Sequence, residues 1–308
     1  RERTHWNISN MQPIDPVALG LCKQSELDAA VQKAAAKKAA DGEVMTDDER
    51  RKLDSTEQSL GMDIEPKIPT AIEGLVKDGA QLIVTVDCGS TSFEPLEVAR
   101  NLATDVIVID HHQADEVLPP SVAVVNPNRQ DDLSGLGQLC AAGVVFLVLV
   151  AVTRELRRRG YYAESGKEPD LLSLLDIVGL ATVCDVVPLT GLNRAYVTQG
   201  LQVMRGRRNV GLRALFDAAG LKQTPNPYHL GFVLGPRIIA GGRIGDSALG
   251  AKLLSTQDEA EAAKIATLLD RLNRERKVIE TQMLEEALAE ADVMLEQDPD
   301  CAIVMLGS

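Results

Sequence analysis

Val106-Ile107-Val108-Ile109-Asp110-His111-His112 is the stretch on which the fold turns. Four consecutive β-formers running into an acid and two imidazoles read as a buried parallel strand with polar groups at its carboxyl end. Open α/β sheets place their ligands at that end. Two of the chain's four histidines lie there. A histidine pair taken alone is as readily a hydrogen-bonded turn as a pair of ligands, so its neighbours in the chain must decide.

Upstream, Gln81-Leu82-Ile83-Val84-Thr85-Val86 reads as a second buried strand, ending at Asp87-Cys88-Gly89-Ser90. A helical pattern over 70–79, closed by Gly79, precedes it, and a second helix over 95–102 joins the two strands. Strand, helix and strand within some thirty residues predict a crossover connection and a parallel sheet. Asp87 and Asp110 then both fall at the carboxyl ends of parallel strands, where their carboxylates can converge.

Downstream, Val122-Ala123-Val124-Val125 is a short strand stopped by Asn126-Pro127-Asn128. Ser134-Gly135-Leu136-Gly137 could cradle a phosphate, but it has neither a GxxxxGK[ST] nor a GxGxxG pattern, and a tight turn is the better reading. It opens an apolar helix over 139–154, apolar on all sides for three turns and so expected to be buried against the sheet. A further apolar helix, 171–183, runs into Thr182-Val183-Cys184-Asp185-Val186-Val187-Pro188. A carboxylate inside such a run is costly unless hydrogen-bonded or bound to a cation, which makes Asp185 a ligand candidate beside the alternative of a helix cap.

Composition is consistent with α/β layers. Apolar residues make up 45% and aromatic residues only 3% of the 308, which suits helices packed on a parallel sheet better than a β-sandwich. A net charge of −13 argues against broad binding of nucleic acid through a basic surface. It leaves room for phosphate handling through metals and local arginines. Cys22, Cys88, Cys140, Cys184 and Cys301 show no CxxC spacing, and with no signal peptide or membrane-length apolar run the expected setting is the cytoplasm. The missing initiator Met reads as a fragment.

Arg205, Arg207, Arg208 and Arg213 read as a solvated face, whereas Arg237 and Arg243 lie among glycines that permit close backbone approach, so phosphate contact is expected there. Residues 1–65 hold a helical-looking segment, 25–38, and a charged run, 45–58, with no apolar strand. The 257–297 segment is almost unbroken helical pattern, and a new strand begins at Ala302.

Asp87, Asp110, His111, His112 and Asp185 thus form a set of acids and imidazoles suited to Mn²⁺, Mg²⁺ or Zn²⁺. Two such ions about 3.5 to 4 Å apart can drive an in-line displacement at phosphorus, the chemistry of a phosphoesterase. No GxSxG competes, and His5 and His229 have no evident partner.

Val86-Asp87-Cys88-Gly89, Ile109-Asp110-His111-His112, the 180–189 segment around Asp185, Leu234-Gly235-Pro236-Arg237-Ile238 and Leu272-Asn273-Arg274-Glu275-Arg276 resemble the successive motifs of RecJ-type exonucleases of the DHH phosphoesterase superfamily, from residue 66 onward. The resemblance implies a manganese-dependent, single-strand-specific 5′→3′ DNA exonuclease of recombination and repair, working with single-strand-binding protein and a recombination helicase, away from membranes. It implies a DHH phosphoesterase domain over 66–255, a connecting helix over 256–298 and, at 299–308, the first strand of a DHH-associated domain. In residue terms it implies Asp87, His111 and Asp185 as metal ligands, His112 at the scissile phosphate, Asp110 orienting its neighbours, and Arg237 and Arg243 facing the DNA backbone.

The family's first strand and its Asp-x-Asp-Gly motif are not found in residues 1–66, where only Ala40-Asp41-Gly42 and Asp47-Asp48 come near. An incomplete or inactive form is therefore one expectation. Other readings are a DHH phosphodiesterase for oligoribonucleotides or cyclic dinucleotides, and a non-catalytic DHH-like binding module.

Overall fold

The computed structural model describes residues 67–297. The segments at 25–38 and 45–58, the search for a first acidic motif and the strand at Ala302 lie outside these residues. What is described divides into two compact units, one running to Gly200 and the other starting at Leu201.

In the first unit, helix α1 (Lys67–Lys77) leads through a turn at Gly79 into β1 (Leu82–Val86), followed by α2 (Phe93–Asn101), β2 (Asp105–Ile109) and β3 (Ala123–Val125). The three strands are parallel in the order β1-β2-β3, with Val86 opposite Ile109 and Ile109 opposite Val125. The expected α/β sheet flanked by helices is therefore present, with more helix than strand. Strand alternation explains its core: Ile83, Val106, Val108 and Val124 point to the face covered by Ile72 of α1 and by Leu96 and Ala99 of α2. This apolar layer anchors the strands whose carboxyl ends carry Asp87 and Asp110.

Helix α3 (Ala141–Arg158) is followed by α4 (Tyr161–Ser165), a single 3₁₀ turn (Leu171–Leu174), α5 (Leu175–Cys184) and α6 (Gly191–Arg205). The segment expected as one helix over 171–183 is thus split, with a tight first turn. The expectation that α3 is buried all round needs correcting. Its Val144 and Phe146 are buried, but Leu149, Val150 and Val152 stand 37 to 42% exposed. Only one side of α3 finds packing partners among the described residues. The Ser134–Gly137 segment is a turn, as read. Asp132 accepts from the Ser134 amide and hydroxyl, and the Ser134 hydroxyl accepts from the Leu136 amide.

The second unit is helical: α7 (Val210–Ala218), a π-helical turn (His229–Leu234), α8 (Gly235–Ile244), α9 (Leu249–Ser255) and α10 (Glu259–Gln297). The long helix expected over 257–297 is present as α10, and it packs against α7, α8 and α9. No described helix is long and apolar enough to cross a membrane.

Candidate metal and phosphate site

β1 and β2 end side by side, so the residues that follow them meet. The Asp87 amide donates to the Ile109 carbonyl at 2.9 Å and the Asp110 amide to the Val125 carbonyl at 3.0 Å. Pairing thus continues one residue past each strand before the chain turns. Asp87 turns with a φ of 64°, in the left-handed region that aspartate tolerates better than most residues. Gly89 follows at φ +115°. A methyl group there would stand 2.8 Å from the Thr85 hydroxyl and 3.0 Å from Val108, so only glycine fits.

Asp110 is the buried centre of the site, 1% exposed. Its Oδ2 accepts from the Ser90 amide at 3.0 Å. Its Oδ1 accepts from the amides of His111 (2.7 Å) and His112 (3.3 Å) and faces His112 Nδ1 at 2.8 Å. Burial alone would raise its pKa, but the hydrogen bonds from His112, Ser90 and His111 outweigh it and hold the carboxyl well below the usual carboxylate range. A charged Asp110 fixes the His112 tautomer: Nδ1 carries the proton, and the other ring nitrogen is left for an outside partner. The His112 side chain is 48% exposed, which gives that nitrogen access to solvent.

His111 is anchored in the same manner by a different group. Its Nδ1 lies 3.0 Å from the Leu139 carbonyl, which can only accept, so Nδ1 is the donor. Nε2 then faces Asp87 Oδ1 at 3.2 Å. In the neutral ring these are two lone pairs pointed at each other, and either a proton or a divalent cation resolves the conflict. The His111 pKa is accordingly raised, chiefly by the hydrogen bond to Asp87 and against the effect of burial.

Asp185 reaches the group from α5, with Oδ2 at 3.6 Å from His111 Nδ1. It occupies the C-cap position of that helix, where the helix dipole disfavours a negative charge. Burial raises its pKa first, and the charge of Asp87 adds to this, while the imidazoles oppose it. The His111 imidazole offsets this cost, meeting Asp185 on the side of the ring that carries the Nδ1 proton.

Five of the seven residues expected at the site, Asp87, Asp110, His111, His112 and Asp185, are therefore brought together in the first unit. Ligand atoms of Asp87, His111 and His112 lie within 4.8 Å of one another; Asp185 is not among them and meets the group only on the Nδ1 side of His111. One carboxylate and two imidazoles, each ring held through Nδ1, are a donor set that fits a divalent cation such as Mn²⁺. Arg237 and Arg243 lie on α8 in the second unit. Arg237 is committed internally, donating to Asp270 at 2.9 Å and to the Val233 carbonyl at 2.7 Å, while Arg243 is exposed.

Two asparagines read only as a strand stop carry the site from below. Asn126, 3% exposed, donates to the Ser90 hydroxyl at 2.7 Å and to the His112 carbonyl at 2.8 Å. Asn128 donates to the His111 carbonyl at 2.6 Å and the Gly137 carbonyl at 2.9 Å. Each clamps the backbone of one histidine. The available signal was their place at the carboxyl end of a third parallel strand, the same edge that carries Asp87 and Asp110.

Two of the nearby cysteines are poorly suited to act as nucleophiles. The Cys184 thiol is pushed up to about 11, mainly by burial and then by Asp185, and burial also raises that of Cys140.

A parallel sheet with acids and imidazoles converging at its carboxyl edge defines the class, and the chain belongs to the DHH family: the family's N-terminal domain matches residues 18–182. Among its relatives, the single-stranded-DNA-specific exonuclease RecJ of Escherichia coli is 41% identical over 223 residues, covering 71% of this chain and 39% of that protein. RecJ of Thermus thermophilus is 35% identical over 244 residues, 76% of this chain and 34% of its own length. The crystal structure of Thermus thermophilus RecJ in complex with Mn²⁺ superposes with a TM-score of 0.62 at 35% identity, covering 74% of this chain and 32% of that one. A structure of exonuclease RecJ bound to manganese gives 0.62 at 33%, covering 74% and 54%. The chain thus spans about two fifths of the length of the curated relatives it matches.

Proposed function

We propose that this chain carries the catalytic part of a Mn²⁺- or Mg²⁺-dependent phosphodiesterase that acts as a single-stranded-DNA-specific 5′→3′ exonuclease in recombination and repair. The observation that supports it most is the convergence of Asp87, His111 and His112 at one sheet edge, with each imidazole anchored through Nδ1. The relatives named above, two of them solved with manganese, favour this reading over one of oligoribonucleotide or cyclic-dinucleotide hydrolysis. Cytoplasmic action beside single-strand-binding protein and a recombination helicase belongs to the same proposal. So does the assignment of 66–255 to the phosphoesterase domain, 256–298 to a connecting helix and 299–308 to the start of a DHH-associated domain.

In this reading Asp87, His111 and Asp185 hold the cation. When bound, it supplies Lewis-acid polarisation of the phosphodiester. His112 presents its outer nitrogen to the scissile phosphate, and Asp110 keeps that imidazole in register and stabilises its charged form, as a carboxylate behind a catalytic histidine does. Asn126 and Asn128 hold the two histidine carbonyls so that neither ring drifts. Arg243, exposed on α8, is assigned to the DNA backbone, while Arg237 supports that helix through Asp270.

Release of nucleotides from 5′-labelled single-stranded DNA in Mn²⁺ tests the proposal. Hydrolysis by the chain and its loss in Asp185→Ala are expected, and equal rates in the two would overturn the assignment. A panel with oligoribonucleotides and cyclic dinucleotides ranks the substrates. Absence of both hydrolysis and Mn²⁺ uptake would mark a non-catalytic module.

A further inference from the structure

The second unit carries a group of side chains that the catalytic reading does not use. Met204, Arg205, Arg207, Phe216 and the Lys222–Pro225 loop line a hollow of about 180 Å³. Arg205 and Lys222 are exposed and have no carboxylate partner among the described residues. Arg207 is held ready: its guanidinium pairs with Asp217, sits 5.7 Å from the centroid of the Phe216 ring and stays 41% exposed. Its backbone takes φ 48°, in the left-handed position that usually ends a helix on glycine. Gly206 precedes it, yet the left-handed position belongs to the arginine, as it does to Ala103 and Val186 at two other helix ends.

The platform beneath is rigid. Asn209 caps α7 through the Leu212 amide at 2.8 Å and donates to the Leu254 carbonyl at 3.2 Å. Gly211 lies so close to Leu253 that a methyl group would overlap its carbonyl.

Three residues beyond Pro225, within about 11 Å along the chain, Tyr228 and Phe232 stack on each other, ring centroids 5.1 Å apart and planes inclined by 25°. They are 63% and 70% exposed, in a chain with only 3% aromatic residues. Asn226 and His229 exchange hydrogen bonds with each other's amides and pin the start of the π-helical turn that carries them. π-Helical turns of this kind recur at functional sites.

Cations around a small hollow and an exposed ring pair on the adjoining turn match the two chemistries of single-stranded nucleic acid: anionic phosphates at regular spacing and bases with free π-faces. The pairing also discriminates. A duplex would offer the cations its phosphates and leave the rings without bases. We infer that the Arg205–Arg207–Lys222 hollow and the Tyr228–Phe232 pair form an accessory contact surface for single-stranded nucleic acid, the hollow taking a backbone phosphate and the rings a base. The inference rests on the nuclease reading but concerns binding rather than hydrolysis, so the two can fail separately.

The test is fluorescence anisotropy of a labelled oligodeoxythymidylate with the 308-residue chain, without divalent cation so that nothing is cut. Arg205→Glu/Lys222→Glu is expected to weaken binding about tenfold or more. It should also make the slope of log affinity against log salt shallower by about 0.7, for the one phosphate that is no longer neutralised. Tyr228→Ala/Phe232→Ala is expected to weaken binding about fivefold or more with the slope unchanged. Tyr228→Trp/Phe232→Trp should keep the affinity, as should the double charge reversal Lys77→Glu/Lys264→Glu, which changes net charge by the same amount as Arg205→Glu/Lys222→Glu. Unchanged affinity in either of the first two variants, or no binding by the unaltered chain, overturns the inference. Mn²⁺-supported hydrolysis of a nitrophenyl ester of thymidine monophosphate judges the catalytic reading on its own, and it should be equal in all these variants.

Discussion

Asp110, buried to 1% exposure, faces the Nδ1 of His112 at 2.8 Å while its second oxygen is held by the Ser90 amide. This pair sets the protonation of the histidine before any substrate arrives. Asp110→Asn keeps the shape, but a neutral amide can turn its NH₂ toward Nδ1 and favour the wrong tautomer. Hydrolysis is expected to fall by about 10² to 10⁴, as for loss of a general acid–base function, with Mn²⁺ uptake by Asp87, His111 and Asp185 largely kept. Turnover measured beside calorimetric Mn²⁺ titration checks this, and a parallel loss of both would assign Asp110 to metal binding instead.

Mn²⁺ stoichiometry follows from the acids present. With no Asp-x-Asp-Gly motif in the sequence, Asp87, His111 and Asp185 provide for one ion, and titration of the 308-residue chain should give one equivalent. His111→Ala removes the central ligand and should abolish this uptake, and a chelator should reverse it in the unaltered chain. Two equivalents would require ligands beyond the five residues gathered at the sheet edge.

The asparagine clamp predicts an indirect effect. Asn128→Ala leaves the His111 and Gly137 carbonyls without their donor, which should lower stability by about 1 to 3 kcal/mol. It should also weaken Mn²⁺ binding by about 10- to 100-fold through misplacement of His111. Gly137→Ala should reproduce both effects, because its methyl group would stand 2.4 Å from the Asn128 side-chain oxygen. Denaturant unfolding and metal titration of the two variants decide whether they share one cause.

The two glycine-flanked arginines should separate. Arg237 and Asp270 are each nearly buried, with side chains 16% and 14% exposed, so Arg237→Ala leaves Asp270 with Arg274 as its remaining partner at 3.3 Å and should cost about 1 to 3 kcal/mol of stability. Arg243→Ala on the exposed side of α8 should leave stability within about 0.5 kcal/mol and reduce affinity for single-stranded DNA. Thermal melts alongside binding curves distinguish the structural arginine from the one proposed to meet DNA.

What could be read beforehand depended on how local the signal was. The Val106–Ile109 run and its acid-imidazole tail carry strand identity, burial and strand polarity within seven residues, and β1 repeats the pattern with Asp87. Placing these strands in one parallel sheet was enough to bring Asp87 and Asp110 together. Asp185 showed itself by the cost of an acid in an apolar run. Asn126 and Asn128 did not, because an Asn-Pro-Asn stop looks the same whether its amides face solvent or hold two histidine carbonyls 14 and 17 residues back. The role of Arg237 was hidden for a similar reason: its partner, Asp270, lies 33 residues away on α10. The half-exposed surface of α3 was missed because apolar pattern reports the tendency to be buried, not whether a partner surface is there.

Asp185 separates function from stability most sharply. Its carboxylate closes α5 at the end where the helix dipole repels negative charge, and both burial and Asp87 raise its pKa. Asp185→Asn removes that charge while keeping size and hydrogen-bonding capacity. Without metal, the variant should be more stable than the unaltered chain by about 0.3 to 1 kcal/mol. In Mn²⁺ the order should invert, because only the chain with an intact ligand set gains stability from the ion, in proportion to the logarithm of its concentration over Kd. Melting curves of both proteins with and without Mn²⁺ read this crossing directly. A variant less stable without metal, or one that keeps the full Mn²⁺-dependent rise in Tm, would show that Asp185 serves the fold of α5 rather than the cation.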